Sequence, residues 1–199
     1  MAKVSTEQLL QEGLPTTGQL KKELKRVRYN SGFSGMLRST IGILVTVAAI
    51  AVLIAVLLLP VLQIYGTSMS PTLEEGNIVV SVKGTKFRTG EVVAFYYNNK
   101  ILVKRVIANP GEWVDIDQEG RVYVNNVKLD EPYIETFAYG ETNIELPYQV
   151  PDSRIFVMGD NRDASIDSRN TSVGCVSDEQ IVGKIVFRIW PVKEAGPVK

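Results

Sequence analysis

The chain has 199 residues, with 22 Lys and Arg against 22 Asp and Glu, one Cys and no His. The length suits one compact domain with an appendage, and the neutral total gives no support for nucleic-acid binding, which uses a basic surplus. A single Cys excludes an intrachain disulfide, and the lack of His excludes a Ser-His-Asp triad, a Cys-His pair and a His-ligated metal site. Nucleophilic catalysis would therefore need another base, for which lysine is the known substitute. We expect no metal and no cofactor.

The charges are distributed unevenly along the chain. Residues 1–38 carry seven basic and three acidic side chains, whereas residues 67–199 carry 15 basic and 19 acidic ones. Between these two regions, residues 41–64 form an apolar run of 24 residues without a charge. As a helix this run would be about 36 Å long, enough for a hydrocarbon core of roughly 30 Å. We predict a transmembrane helix at 41–64.

A cleaved signal peptide is the main alternative for this apolar run. It is disfavoured because forty residues precede the run and no A-x-A site follows it. Basic residues beside a membrane segment stay in the cytoplasm. We therefore predict a cytoplasmic tail at 1–40 and an extracytoplasmic domain at 65–199, in a single-pass protein whose partner is the lipid bilayer of the plasma membrane.

The outer domain is predicted to be mainly β, an antiparallel sheet behind one transmembrane helix. Short β-branched and aromatic runs alternate with Gly, Asn and Pro turns, at the spacing that is typical of antiparallel sheet proteins. We expect short helical turns at 70–73 or near 178–180. The predicted strands are 78–82, 91–97, 101–107, 113–116, 121–124, 127–129, 154–158 and 184–190.

A candidate nucleophile, Ser68, follows the apolar run in a turn between Gly66 and Pro71. Such a turn can hold a serine exposed on a rigid elbow, although most serines in turns are solvated caps. A candidate base, Lys104, shares one face of the predicted strand 101–107 with apolar side chains. If desolvation lowered the pKa of this amine by two to three units, about 4–30% of it would be neutral at pH 7. A lysine that snorkels from an edge strand is the alternative.

A third candidate region, residues 158–170, follows a predicted strand and is dense in Asp, Arg, Asn and Ser. Alone, it predicts a surface loop held by its own Asp–Arg pairs. Together with the two candidates above and with residues 88–95, however, it makes up four sequence blocks that match a known family in the same order. The chain resembles bacterial type I signal peptidases from about residue 41 to 190, most closely the single-anchor form of Gram-positive bacteria. The matching blocks are SMSPTL at 68–73, RTGEVVAF at 88–95, KRVIANPGE at 104–112 and GDNRDASIDSR at 159–169.

This resemblance implies an activity and a set of residue roles. The protein would be a membrane-bound serine endopeptidase that removes N-terminal signal peptides from secreted preproteins, after small residues at −3 and −1. Ser68 would attack the scissile carbonyl, and neutral Lys104 would take its proton. Ser165 would hydrogen-bond the Lys104 amine and orient it. Asp167 and Arg169 would brace the loop as an ion pair.

The resemblance also implies supporting residues around this pair. Asp160 and Arg162 would give the loop further support, and the backbone N–H of Ser68 would be one oxyanion donor. Gly66 and Thr67 belong to the same turn as oxyanion or supporting residues. In Gram-negative relatives a serine hydroxyl at the position of Gly66 completes the oxyanion hole, so the second donor stays open here.

Three other functions remain as alternatives. A non-catalytic relative that assists the assembly of surface proteins would keep the sheet and the anchor without needing both Ser68 and Lys104. A self-cleaving repressor-type peptidase would share the Ser-Lys chemistry but would be cytosolic. A purely structural membrane protein would give no reason for the two motif blocks that carry Ser68 and Lys104.

We expect the substrate to be an extended strand that pairs with the residues before Ser68 and with 101–103.

Overall fold

The computed structural model describes residues 16–84 and 86–198, without the side chains of residues 30–34 and 54–58. The chain divides into two compact units, Met1–Ile54 and Ala55–Lys199. The first fifteen residues of the predicted cytoplasmic tail lie outside the described residues.

One long helix, α1, spans Thr17–Leu58. It begins where the Thr16 backbone N–H donates to the side chain of Gln19, which satisfies one of the free N–H groups of a helix start. Its segment Gly35–Leu53 has a mean hydropathy of 2.1 and is long and apolar enough to cross a membrane. The apolar anchor predicted from the sequence therefore has its counterpart in α1.

The prediction of a helix as far as residue 64 is wrong at its C-terminal end. The helix stops at Leu58, and Val61–Gln63 forms a strand, β1. Pro60 explains the stop, because proline has no N–H for a helical hydrogen bond and pushes the preceding residue out of the helical region. The carbonyl of Pro60 instead accepts hydrogen bonds from the backbone and the hydroxyl of Ser81, at 2.9 and 3.1 Å.

The second unit is built from antiparallel strands, as predicted. All eight predicted strands are confirmed, with shifts of one to three residues at some ends. The structure adds four strands of two or three residues, which are too short to give a periodic signal. After β1, the strands are β2 (Ile78–Val82), β3 (Val92–Tyr97), β4 (Lys100–Ala108), β5 (Trp113–Ile116), β6 (Val122–Val124), β7 (Val127–Lys128), β8 (Tyr148–Gln149), β9 (Arg154–Met158), β10 (Val176–Ser177), β11 (Ile181–Trp190) and β12 (Gly196–Pro197).

These strands form two sheets. The large sheet has the order β1-β2-β11-β3-β4-β9-β10, with β12 paired to β11, and the small sheet has the order β7-β6-β5-β8. Strand β4 pairs with β3 along residues 100–105, but its pairing with β9 begins only at Arg105. Within the described part of the chain, the first half of β4 therefore keeps one edge open.

The turns between the strands lie where the sequence has turn-forming residues. Asn125 and Asn126 both have positive φ, 51° and 65°, which is the geometry of a two-residue hairpin turn between β6 and β7. Asp178–Gln180 forms a 3₁₀ turn, close to the predicted helical turn near 178–180. The segment at 70–73, the other position predicted to be helical, is a turn and not a helix, and the Leu73 N–H closes it by donating to the Met69 carbonyl at 2.9 Å.

A buried apolar cluster lies under the turn that carries Ser68. Met69 and Leu73 pack there with Ile64 and with Val79 and Ile185 from the large sheet. Met69 and Leu73 are almost completely buried, so the two residues fix the turn on both sides of Ser70. Burial of side chains of this size contributes roughly 1.5–3 kcal/mol each, which holds the candidate nucleophile in one position.

Candidate active site

Ser68 and Lys104 come together from distant parts of the second unit. The Oγ atom of Ser68 lies 2.6 Å from the Nζ atom of Lys104. Ser68 lies in the turn after β1, whereas Lys104 lies in the middle of β4, next to its open edge. The distance is a hydrogen-bond distance, so a proton can pass directly between the two atoms.

The amine of Lys104 is held in an environment that favours its neutral form. The residue is only 3% exposed, and burial lowers the pKa of the amine from 10.5 to about 8. The carboxylates of Asp167 and Asp160 oppose this shift, whereas the guanidinium of Arg169 adds to it. At pH 7 about one tenth of such amines are neutral, which lies within the range expected from the sequence.

The turn around Ser68 depends on glycine. Gly66 has a φ of +79°, a conformation that side chains with a Cβ rarely adopt. Gly66 and Thr67 are exposed, and the carbonyl of Thr67 accepts the N–H of Ser70 at 3.1 Å. Ser68 itself is half-buried, so its hydroxyl faces both the amine and the adjacent groove.

The end of β9 lies against the Ser68 turn. The carbonyl oxygen of Ser68 accepts the N–H of Asn161 at 3.1 Å. Gly159 makes this approach possible, because a Cβ at that position would overlap the Ser68 carbonyl oxygen and the Ser165 hydroxyl. The polar block that starts at Gly159 is therefore packed directly on the candidate nucleophile turn.

Asp167 is the centre of the hydrogen bonds within this block. Its carboxylate accepts the N–H of Gly159 at 2.9 Å and the hydroxyl of Ser165 at 2.7 Å. Arg169 forms the ion pair with Asp167 that the resemblance implies, at 2.9 Å, and both side chains are fully buried. The expected hydrogen bond between Ser165 and the Lys104 amine is not among those of the described residues. The hydroxyl of Ser165 donates to Asp167 instead.

Asp160 and Arg162 pair outside the block rather than with each other. The guanidinium of Arg105 donates to both carboxylate oxygens of Asp160, at 2.8 and 2.6 Å. Thr72 joins this pair through a 2.5 Å hydrogen bond to Asp160. Arg162 forms a fully buried ion pair with Glu131. The block is therefore not a surface loop held by its own pairs alone.

Sequence reasoning missed three of these partners, Arg105, Thr72 and Glu131. Arg105 follows Lys104 in β4 and, because side chains alternate along a strand, points to the opposite face. Its apolar neighbours in the strand were the available signal for burial. The guanidinium also lies over the ring of Tyr133, 3.8 Å from its centroid. Glu131 and Tyr133 lie in an irregular segment that has no periodicity to indicate burial.

A groove of about 800 Å³ leads away from Ser68. One wall is formed by β1 and the segment that follows it, and the other by the open edge of β4. Most of its side chains are apolar. The lining residues are Leu62, Gln63, Ile64, Tyr65, Gly66, Ser68, Met69, Asn99, Lys100, Ile101, Leu102 and Val103.

Comparison with known proteins gives matches over most of the chain. The model of the signal peptidase family, peptidase S26, matches residues 37–190. Signal peptidase IB of Staphylococcus aureus (strain COL) is 38% identical over 151 residues, which cover 66% of this chain and 78% of that protein. Thylakoidal processing peptidase 1 of Arabidopsis thaliana, a chloroplast protein, is 35% identical over 147 residues, 65% of this chain and 41% of the relative.

A solved structure is also similar to part of the chain. A signal peptidase I from Enterococcus faecalis V583 shares 30% sequence identity, with a TM-score of 0.40, over 50% of this chain and 96% of that chain. The classification rests on the family model and on the sequence relatives. The family match covers well over half of the chain and includes all four blocks of the sequence. The chain therefore belongs to the signal peptidase family, peptidase S26, and is a serine endopeptidase.

Proposed function

We propose that the protein removes N-terminal signal peptides from secreted preproteins by means of a Ser68–Lys104 dyad. The observation that carries this proposal is the 2.6 Å distance between the hydroxyl of Ser68 and the buried amine of Lys104, at the end of an apolar groove. The alternative of a non-catalytic assembly factor is not favoured, because it gives no reason for this pairing.

The dyad would act in two proton transfers. Neutral Lys104 takes the proton of Ser68 as its Oγ attacks the scissile carbonyl, and the resulting ammonium then gives a proton to the leaving amine. Water hydrolyses the acyl-enzyme in the second half of the reaction, with the same amine as base. Burial serves this cycle, because it keeps the pKa of Lys104 near 8, where both forms of the amine are accessible.

The charge that develops on the carbonyl oxygen requires donors in the Ser68 turn. The backbone N–H of Ser68 is the first, and Gly66 and Thr67 supply backbone at the same turn. Gly66 has no hydroxyl, so a second donor must be a backbone N–H or a neighbouring side chain. Asp167, Arg169 and the other members of the polar block act as positioning residues, because they hold the loop that packs on Ser68.

The groove suits an extended peptide. Among residues 16–84 and 86–198, both of its walls carry backbone that is open for pairing, β1 on one side and the first half of β4 on the other. A signal peptide bound as an added strand would gain main-chain hydrogen bonds from both walls, and small side chains at −1 and −3 would fit closest to Ser68.

The apolar helix α1 would place this chemistry at a membrane surface. Its first half carries most of the basic residues of the chain's N-terminal region, so we propose that this end is cytoplasmic and that the second unit is extracytoplasmic. The cleavage site of a signal peptide lies just beyond its own apolar segment, in the same layer. The proposed location is the plasma membrane.

Cleavage of a preprotein in detergent tests the dyad. The wild-type chain should release the signal peptide, whereas Ser68→Ala and Lys104→Ala should lower the rate at least about a thousand-fold, since loss of a nucleophile or its base removes most of the catalysis. Lys104→Arg should be equally inactive, because arginine keeps its proton. Substantial activity in any of these variants would overturn the mechanism. Lys128→Glu, in strand β7 of the small sheet, is the control for a change of charge and should keep its activity.

A further inference from the structure

The groove beside Ser68 carries one charged side chain along its length. Among its lining residues, Lys100 is the one Lys, Arg, Asp or Glu. Lys100 is exposed, and within the described residues it forms no ion pair. An uncompensated ammonium group thus stands in an otherwise uncharged groove, where a bound peptide must pass it.

The sheet fixes the direction of the groove. Four successive antiparallel pairings connect β1 to β4 through β2, β11 and β3, so β1 and β4 run parallel to each other. Both walls therefore run toward the Ser68–Lys104 end. Lys100, at the start of β4, marks the far end of the open edge.

Lys100 and Lys104 point to the same face of β4. Residues 100–105 pair with β3 without a register shift, so side chains alternate regularly over this segment. The two lysines are four residues apart, which is about 13 Å along a strand. A peptide extended beside β4 rises by the same amount per residue. A peptide that runs in the same direction as β4, with its −1 residue at Ser68, has its −5 residue level with Lys100.

The alternation of side chains also selects position −5. In an extended peptide, residues −1, −3 and −5 share one face. A second concavity, of about 410 Å³, is lined by Tyr97, Asn98, Asn99 and Lys100. It shares Asn99 and Lys100 with the groove and gives room for a side chain at this level.

We propose that Lys100 selects the charge at position −5 of the substrate, favouring an acidic side chain and disfavouring a basic one. This inference rests on the proposed function, because it needs a signal peptide in the groove. The proposed role is specificity, so Lys100 changes which peptide is cleaved and leaves the chemistry at Ser68 intact.

Three synthetic signal-peptide substrates that differ only at −5, with Asp, Asn or Lys, test the proposal with the full chain in detergent. At low ionic strength the wild type should cleave the Asp peptide about two- to five-fold faster than the Lys peptide in kcat/KM, the range expected for an exposed ion pair. Lys100→Glu should reverse this order, and Lys100→Gln should abolish it. Lys128→Glu, a charge reversal on the exposed strand β7, should leave it unchanged.

Salt and position separate a local ion pair from a general charge effect. At 1 M salt, where the screening length is about 3 Å, the wild-type preference should disappear. Moving the charge to −4, on the opposite face of the peptide, should reduce the ratio of kcat/KM between the acidic and the basic peptide. A larger ratio at −4 than at −5 would overturn the placement of residue −5 beside Lys100.

The outcomes distinguish this inference from the proposed function. Cleavage of all three peptides with the same preference in wild type and Lys100→Glu would overturn the role of Lys100 and leave the peptidase function standing. Failure of the wild type to cleave any signal peptide would overturn the proposed function, and the role of Lys100 with it.

Discussion

Gly159 lies directly against the backbone carbonyl of Ser68, so close that a Cβ at position 159 would overlap it. This contact joins the end of β9 to the nucleophile turn, and the N–H of Asn161 donates to the same carbonyl at 3.1 Å. The position of Ser68 therefore depends on the polar block as well as on its own turn.

Gly159→Ala should lower kcat/KM at least about ten-fold, because the added methyl group must push the Ser68 turn away from Lys104, and a displacement of about 1 Å is costly in catalysis. Kinetics of preprotein cleavage measure the effect. The control is Gly196→Ala, where a Cβ would meet nothing within 4 Å. Equal activity of both variants and the wild type would show that the contact does not position Ser68.

Asp160→Asn should destabilise the second unit by about 3–5 kcal/mol, because it leaves the buried guanidinium of Arg105 without its carboxylate. Urea unfolding of the full chain in detergent measures this change in the free energy of unfolding. Glu119→Gln removes a partner of Arg121 from an exposed pair and should cost less than about 1 kcal/mol. Similar costs in the two variants would contradict the structural role of the buried pair.

Asp167→Asn should shift the acid limb of the pH–rate profile to lower pH. The carboxylate of Asp167 raises the pKa of Lys104, so its loss lowers that pKa and leaves more neutral amine at a given acidic pH. Maximal activity should fall, since Asp167 also accepts the hydrogen bonds of Gly159 and Ser165. The profile of kcat/KM against pH measures the shift, and a limb displaced to higher pH would contradict the assigned electrostatics.

Cysteine labelling should report the orientation of the chain in the membrane. The native Cys175 is buried, so engineered surface cysteines should react selectively with a membrane-impermeant thiol reagent. In intact cells, Lys128→Cys should be labelled and Lys21→Cys should be labelled only after lysis. The reverse pattern would contradict an extracytoplasmic peptidase domain.

Much of the fold could be predicted from local sequence patterns. The strands of four or more residues have β-branched runs bounded by turn residues, and all were identified, because both signals are local. The helix end could not be placed from hydropathy alone, since residues 61–63 continue the uncharged run that begins at residue 41. Whether these residues form a helix or a strand is decided by their pairing with β2, which is a contact between segments that are distant in the sequence.

The candidate site could be predicted only in part. Ser68 and Lys104 could be predicted from the family blocks, whereas the strand periodicity does not show that the two residues are neighbours. The pairing of Asp160 with Arg105, and of Arg162 with Glu131, could not be predicted, because each joins segments far apart in the sequence. The sequence offers several carboxylates for each arginine, and only the folded geometry selects one.

The most direct test of the central claim is the pH dependence of kcat/KM for preprotein cleavage, which reports the ionisation of the free enzyme's base. With Lys104 as that base, activity should rise with pH by about ten-fold per unit below an apparent pKa near 8, and should level off above it. Activity that is independent of pH between 6 and 8, or that rises only toward the ordinary lysine pKa of about 10.4, would contradict a buried neutral amine as the partner of Ser68.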